Sequence, residues 1–171
     1  MLESKFQKFN HLKIHTQYSI CEGAIKIDDL KEFSKENKIK SLAISDTSNL
    51  CGALEFSEKL SKIGTQPIIG TQINFRYEET IGLLPLFAFN EVGYKRIIEL
   101  SSLSYLNNSE LSEPNVPFEE LLKVDEGIAI FSGTVFGLFG NLFDKGKFLD
   151  IEKLYSKLKS TYNDRFYIEL Q

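Results

Sequence analysis

No tryptophan occurs among the 171 residues, and cysteine is limited to Cys21 and Cys51. The two thiols lie far apart with no CxxC spacing, which excludes a disulfide framework and a zinc ribbon and fits free thiols in a reducing cytoplasm. Apolar runs are short. None approaches the roughly 20 residues needed to cross a bilayer, and the opening MLESKFQKFNHLKIH lacks the apolar stretch of a signal peptide. The expectation is therefore a cytoplasmic protein without a membrane partner. Basic charge is also scarce: 20 Lys and Arg stand against 24 Asp and Glu, a net charge of -4. A surface that grips nucleic acid neutralises phosphates with Lys and Arg. This chain has no such excess, so any DNA handled by a larger assembly is held by other parts of it. Linkers, low-complexity runs and internal repeats are absent as well.

What is present suits one domain with a substantial core. Hydrophobic residues make up 42% of the chain, and 14 phenylalanines supply an aromatic interior. Strand and helix signals alternate. Residues 11–15 (HLKIH) read as a short strand. Residues 27–37 read as a helix with Leu30 and Phe33 inward and Asp28 and Asp29 in its first turn, where the helix dipole favours acids. Residues 41–45 form an apolar strand. Residues 52–63 form a helix with Leu54, Leu60 and Ile63 inward, and Gly64 stops it. Strands are expected at 67–75 and 83–89, the second weakened by Pro85. Asn90 caps a helix that runs to Leu106 with Ile97, Ile98, Leu100 and Leu103 as its stripe. A short helix at 118–124, a strand at 127–131, an amphipathic helix at 151–162 and a strand at 166–170 complete the pattern. The alternation implies an α/β fold with parallel strands and right-handed crossovers, either an open doubly wound sheet or a barrel. In both, sites gather beyond the C-terminal strand ends.

Three polar clusters fall at such ends. The first runs from His11 through Lys13, His15, Thr16 and Ser19 to Glu22; alternation along a strand puts His11, Lys13 and His15 on one face. The second is Ser45-Asp46-Thr47-Ser48-Asn49, and the third is Gly70-Thr71-Gln72. Imidazoles with nearby carboxylates suit zinc, manganese or iron. An ammonium in their midst opposes a cation, because it cannot ligate one and repels it. Two readings stay open on the residues alone: a metal site, or a hydrogen-bonded polar network at the mouth of a sheet.

Six blocks, in order, resemble one family. HLKIHTQYSICEGAIKI, SLAISDTSNLCGALEF, PIIGTQINF, NEVGYKRIIELSSLSYLN, EGIAIFSGTVFGLFGNLF and RFYIELQ are similar to successive blocks of the PHP (polymerase and histidinol phosphatase) domain that opens the alpha subunits of bacterial replicative DNA polymerase III. The likeness covers residues 1–171. It implies the N-terminal portion of a distorted barrel of seven β/α units, with palm, fingers and other polymerase domains outside this segment.

Active PHP domains bind metals at the C-terminal strand ends through an HxH pair, a loop Asp, the His of a TDH motif, a third-block Glu and later His and Asp residues. Carried onto this chain, the HxH pair falls on Lys13 and His15, the loop acid on Glu22, the TDH motif on Ser45-Asp46-Thr47 and the third-block Glu on Gln72. The resemblance thus implies a vestigial site of His11, Lys13, His15, Glu22, Asp46, Thr47 and Gln72, with no catalytic residue and no metal in this segment. Magnesium would belong to the palm domain of the whole polymerase. Degenerate PHP domains of this kind serve as structural platforms for a separate proofreading exonuclease subunit, so that subunit and the other polymerase III holoenzyme subunits are the partners implied. The enzymatic alternative is a free-standing, metal-dependent PHP phosphoesterase. A third reading is a pure interaction module that binds the exonuclease. For Lys13 itself, two placements are open: paired with Glu22 and Asp46 in place of a metal, or stretched to solvent.

Overall fold

The computed structural model describes residues 9–106, 113–123 and 126–170. Helix α1 (Ile27–Asn37) leads to β1 (Ser41–Thr47), α2 (Ala53–Ser61), β2 (Gln66–Tyr77) and β3 (Thr80–Ala88). Helix α3 (Glu91–Leu106) follows, then β4 (Val116–Pro117), α4 (Phe118–Leu121), β5 (Ile128–Phe131), α5 (Leu138–Asp144), α6 (Phe148–Tyr162) and β6 (Phe166–Tyr167). The fold is α/β, with one sheet in the order β1-β2-β3-β5-β6 and β4 paired to the far end of β2.

The expectation of an all-parallel sheet is corrected. β1 and β2 run parallel, as do β5 and β6, but β3 runs antiparallel to both β2 and β5. Only Glu78 and Glu79 separate β2 from β3, a two-residue hairpin with Glu78 at φ 51°. Pro85 sits within β3 opposite Gln72 without ending the strand. The strand expected at 166–170 narrows to two residues, and α5 was not foreseen. The expected helix end at Val124 lies outside the described residues.

Two helix faces turn differently from the expectation. In α1 the buried positions are Ile27, Leu30 and Ser34, leaving Phe33 exposed; in α2, Phe56 and Leu60 are buried and Leu54 is exposed. Ser34 takes the inner position that Phe33 was expected to fill, so the face is rotated by about one residue. Asn90 does cap α3: its Oδ1 accepts the Gly93 N–H at 2.9 Å.

Both faces of the sheet carry apolar side chains. Its outer face carries the main core, where Ile73, Phe75, Leu84, Leu86 and Ile130 meet α3, α5 and α6 through Ile97, Leu142, Leu158 and Tyr162. Leu42 and Ile44 of β1 pack with Ile27, Phe56 and Leu60 of α1 and α2. The opposite face is thinner, built on Ala43, Phe87 and Ala129 with Leu12, Ile68 and Phe131 against them. Gly70 is needed there, because a Cβ would lie 2.4 Å from the Phe87 ring.

Residues 11–15 do not form a regular strand, which corrects that expectation. Ala43 N–H donates to the His11 carbonyl and Ser45 N–H to that of Ile14. Three steps along the segment therefore match two along β1. The extra residue breaks the alternation, as a bulge does. Leu12 consequently packs on the inner face while Ile14, two residues on, joins the α1 and α2 cluster.

Candidate functional site

A cavity of about 270 Å³ opens on the inner face, at the C-terminal end of β1 and beside the middle of β2. Lys13, His15, Glu22, Gln72, Leu83, Thr134, Phe136 and Gly137 line it. The register explains the membership. Gln72 faces Pro85, and Asn74 faces Leu83, so Gln72 and Leu83 project on the same side of the hairpin. Residues 132–137, the loop between β5 and α5, close the rim.

The polar groups of the cavity satisfy one another. His15 Nδ1 lies 3.2 Å from Glu22 Oε2, and Gln72 Nε2 lies 3.1 Å from His15 Nε2. Thr47 Oγ1 donates to Glu22 Oε2 at 2.5 Å and accepts from Gln72 Nε2 at 3.4 Å. One neutral tautomer serves these contacts: Nδ1–H donates to Glu22, and Nε2 accepts from the Gln72 amide. Both ring nitrogens are then engaged by protein.

Lys13 does not reach Glu22 or Asp46, which corrects the pairing considered for it. Its Nζ donates to Glu169 Oε1 at 2.9 Å, with side-chain exposures of 21% and 9%. The reason is positional. Glu169 lies two residues past the end of β6, whose Tyr167 packs on Phe131 over the inner face. Glu169 N–H donates to Ser132 Oγ at 3.0 Å, which fixes the residue beside the β5–α5 loop.

Asp46 sits beneath the cavity, on the other face of β1, and is 1% exposed. Its carboxylate accepts from Thr16 N–H at 2.6 Å, Thr16 Oγ1 at 2.8 Å and Ser19 Oγ at 2.7 Å. All three donors are neutral, so this buried carboxylate is held by hydrogen bonds and not by a cation. Its role is to fold residues 16–19 back against β1. Ser19 Oγ in turn accepts the Thr47 N–H at 3.1 Å.

His11 stands apart. It is exposed, edge-on to Phe9 with ring centroids 5.0 Å apart. The extra residue before Ile14 separates it from Lys13 and His15. Of the seven residues singled out in the sequence, the structure brings together Lys13, His15, Glu22, Thr47 and Gln72, sets Asp46 below them and leaves His11 outside. Glu169, Thr134 and Phe136 were not foreseen. No local pattern in RFYIEL marks Glu169, because the strand ends at Tyr167.

The PHP domain family model matches residues 11–171. The chain belongs to the PHP domain family. It is 37% identical, over all of its length, to the DNA polymerase III subunit alpha of Caulobacter vibrioides, of which it spans 16%. It is 32% identical, over 96% of its length, to the subunit of the same name from Borreliella burgdorferi, of which it spans 15%. Among solved structures, a putative metal-dependent phosphoesterase from Bifidobacterium adolescentis matches 86% of this chain and 54% of its own, at 18% identity and a TM-score of 0.41.

The donors of this PHP domain do not fit the metals the family can carry. Among the described residues, no group of three or more His, Cys, Asp or Glu is arranged to hold a metal ion. His15 offers no free nitrogen, Gln72 presents an amide N–H₂ where a carboxylate would be needed, and the Lys13 ammonium stands in the cavity wall. Among the described residues, no helix is long and apolar enough to cross a membrane.

Proposed function

We propose that this chain is the N-terminal PHP segment of a cytoplasmic bacterial DNA polymerase III alpha subunit, and that it acts as a metal-free structural platform. The segment docks the proofreading exonuclease subunit and sits among the other holoenzyme subunits. The whole subunit would extend primers on DNA by two-metal nucleotidyl transfer in a magnesium-binding palm outside this segment. The net charge of -4 supports leaving the DNA to those other domains.

The observation that carries the metal-free reading is the closed hydrogen-bond set around His15. A catalytic metal site keeps an open coordination position. Here His15, Glu22, Thr47 and Gln72 are hydrogen-bonded to one another, and the local cation is an ammonium.

Two measurements on the protein test this. Co-purification with the exonuclease subunit of the same organism, read by size-exclusion chromatography, should give a stable complex; failure to co-elute at micromolar concentrations would remove the docking role. Hydrolysis of p-nitrophenyl phosphate with manganese should stay at the background rate. Turnover that depends on manganese and disappears in His15→Ala would replace the platform with the phosphoesterase.

A further inference from the structure

Lys13 and Glu169 are 156 positions apart in sequence, yet their ion pair is 2.9 Å long. Their places in the sheet give the pair meaning. The segment carrying Lys13 is bonded along β1, and Glu169 follows directly on β6. β1 and β6 are the two ends of the strand order β1-β2-β3-β5-β6. The pair therefore joins the two ends of a curled sheet across its inner face, at the mouth of the His15 cavity.

We propose that Lys13 is the resident cation of this cavity and that the Lys13–Glu169 pair is the strap that holds the sheet curled. This rests on the metal-free reading above and adds what replaces the metal. A divalent ion in such a mouth would cross-link carboxylates and imidazoles from several strand ends. One ammonium held by Glu169 supplies a positive charge and a cross-link with a single residue from each end. Glu169 is well placed to hold it: its backbone N–H is anchored on Ser132 Oγ, and Ser132 N–H donates to the Tyr167 carbonyl at 2.9 Å. The Glu169 backbone is thereby fixed beside the loop, and only its side chain has to order on pairing. Among the described residues, the other arginine and lysine ion pairs lie within one helix or on exposed faces, such as Arg96–Glu99 and Lys95–Glu91. Lys13–Glu169 differs in spanning the two sheet ends with one partner 9% exposed.

The test is a double-variant cycle on the protein, read as thermal midpoints of wild type, Lys13→Met, Glu169→Gln and the pair together, each with and without 1 mM MnCl₂. Manganese is used because the exposed thiols of Cys21 and Cys51 would take zinc. Each single variant should lower the midpoint by about 6 °C or more, as expected for a mostly buried ion pair that loses one partner in a chain of this size. The double variant should fall no further than the worse single one, because the interaction is already gone. Additive losses, or single variants within about 1 °C of wild type, would overturn the strap while leaving the metal-free reading intact. Should Lys13→Met fail to fold, recovery of a cooperative transition on adding Glu169→Gln supports the strap, and continued failure overturns it. Manganese should leave the wild-type midpoint unchanged. A rise would overturn the metal-free reading and the resident cation with it.

Discussion

The side-chain amide of Gln72 and the ring of His15 meet nitrogen to nitrogen at 3.1 Å, with the amide donating and the ring accepting. That contact decides what the cavity can bind. A carboxylate at position 72 would face the same ring nitrogen as a second acceptor, a pair that a cation between them resolves. The resemblance to metal-binding PHP domains puts the differences at three places, Lys13, Thr47 and Gln72. Placing imidazole at the first two and carboxylate at the third, in Lys13→His/Thr47→His/Gln72→Glu, should create a response to metal: a midpoint raised by about 4 °C or more in 1 mM MnCl₂, with none in wild type. If the triple variant folds and ignores manganese, the backbone of the cavity, and not its donors, is what excludes the metal.

Asp46 makes a different prediction, because its carboxylate is structural. Removing it in Asp46→Ala strands the Thr16 N–H and two hydroxyl donors in a site that is 1% exposed at the aspartate. The loss should be about 3 kcal/mol in urea unfolding, since hydrogen bonds to a charged acceptor are worth more than neutral ones and a buried N–H loses its partner. Asp46→Asn should cost less, as one oxygen survives as an acceptor. A change within about 0.5 kcal/mol for the alanine variant would place Asp46 among ordinary surface positions.

Lys59 gathers Asp28, Glu55 and, through Glu55, Tyr18 into a chain that links α1, α2 and residues 16–23. Its Nζ donates to Asp28 at 2.5 Å and Glu55 at 2.7 Å, and Tyr18 Oη donates to Glu55 at 2.9 Å. The hydrogen bond from Lys59 holds the carboxyls of Asp28 and Glu55 below their ordinary values. A depressed folded-state value means stability that is fully present above the unfolded carboxylate range, about 3.9–4.3, and is lost as pH falls through the folded values. Lys59→Met should therefore flatten the decline of the thermal midpoint between pH 5 and pH 3. On the alkaline side the hydrogen bond to Glu55 raises the Tyr18 hydroxyl, so its contribution is present below pH 10 and fades as pH rises through the higher folded value. Asp28 is exposed and Glu55 and Tyr18 are only partly buried, so solvent screening keeps these effects small. Parallel acid limbs for wild type and Lys59→Met would show that the chain contributes nothing.

Much of the framework was legible because period-2 and period-3.6 patterns survive in the sequence: β1, β2, α1, α3, β5 and α6 lie within a few residues of their expected positions. Strand direction was not legible. A turn between β2 and β3 made of Glu78 and Glu79 carries none of the Asn-Gly or Asp-Gly signals of tight hairpins, and a glutamate takes the positive φ instead. The residues of the cavity were largely legible from the blocks, whereas its electrostatics were not. The partner of Lys13 lies at the other end of the chain, and nothing local in HLKIH or RFYIEL names it. His11 was misplaced for a local reason: one extra residue against β1 shifts the face, and a one-residue slip reverses inside and outside.

Gly93 lets α3 approach β5 at the lower end of the sheet. A Cβ there would lie 1.7 Å from the Gly127 carbonyl oxygen, which already accepts the Phe89 N–H at 2.7 Å. The Gly93 N–H is also the one that Asn90 caps. The asparagine cap, the close helix start and the Gly127 turn at φ 76° thus form one joint in which neither glycine has room for a methyl group. Gly93→Ala gains helix propensity of up to about 1 kcal/mol, but it must push α3 away from a backbone atom that cannot yield. The overpacking term should win, for a net loss of about 1–3 kcal/mol. Chemical denaturation at pH 7 would register this as a lower midpoint with an unchanged slope, meaning a native state destabilised and not an altered unfolded chain. An alanine variant as stable as wild type would mean that α3 can shift along β5, and that Gly93 is there for another reason.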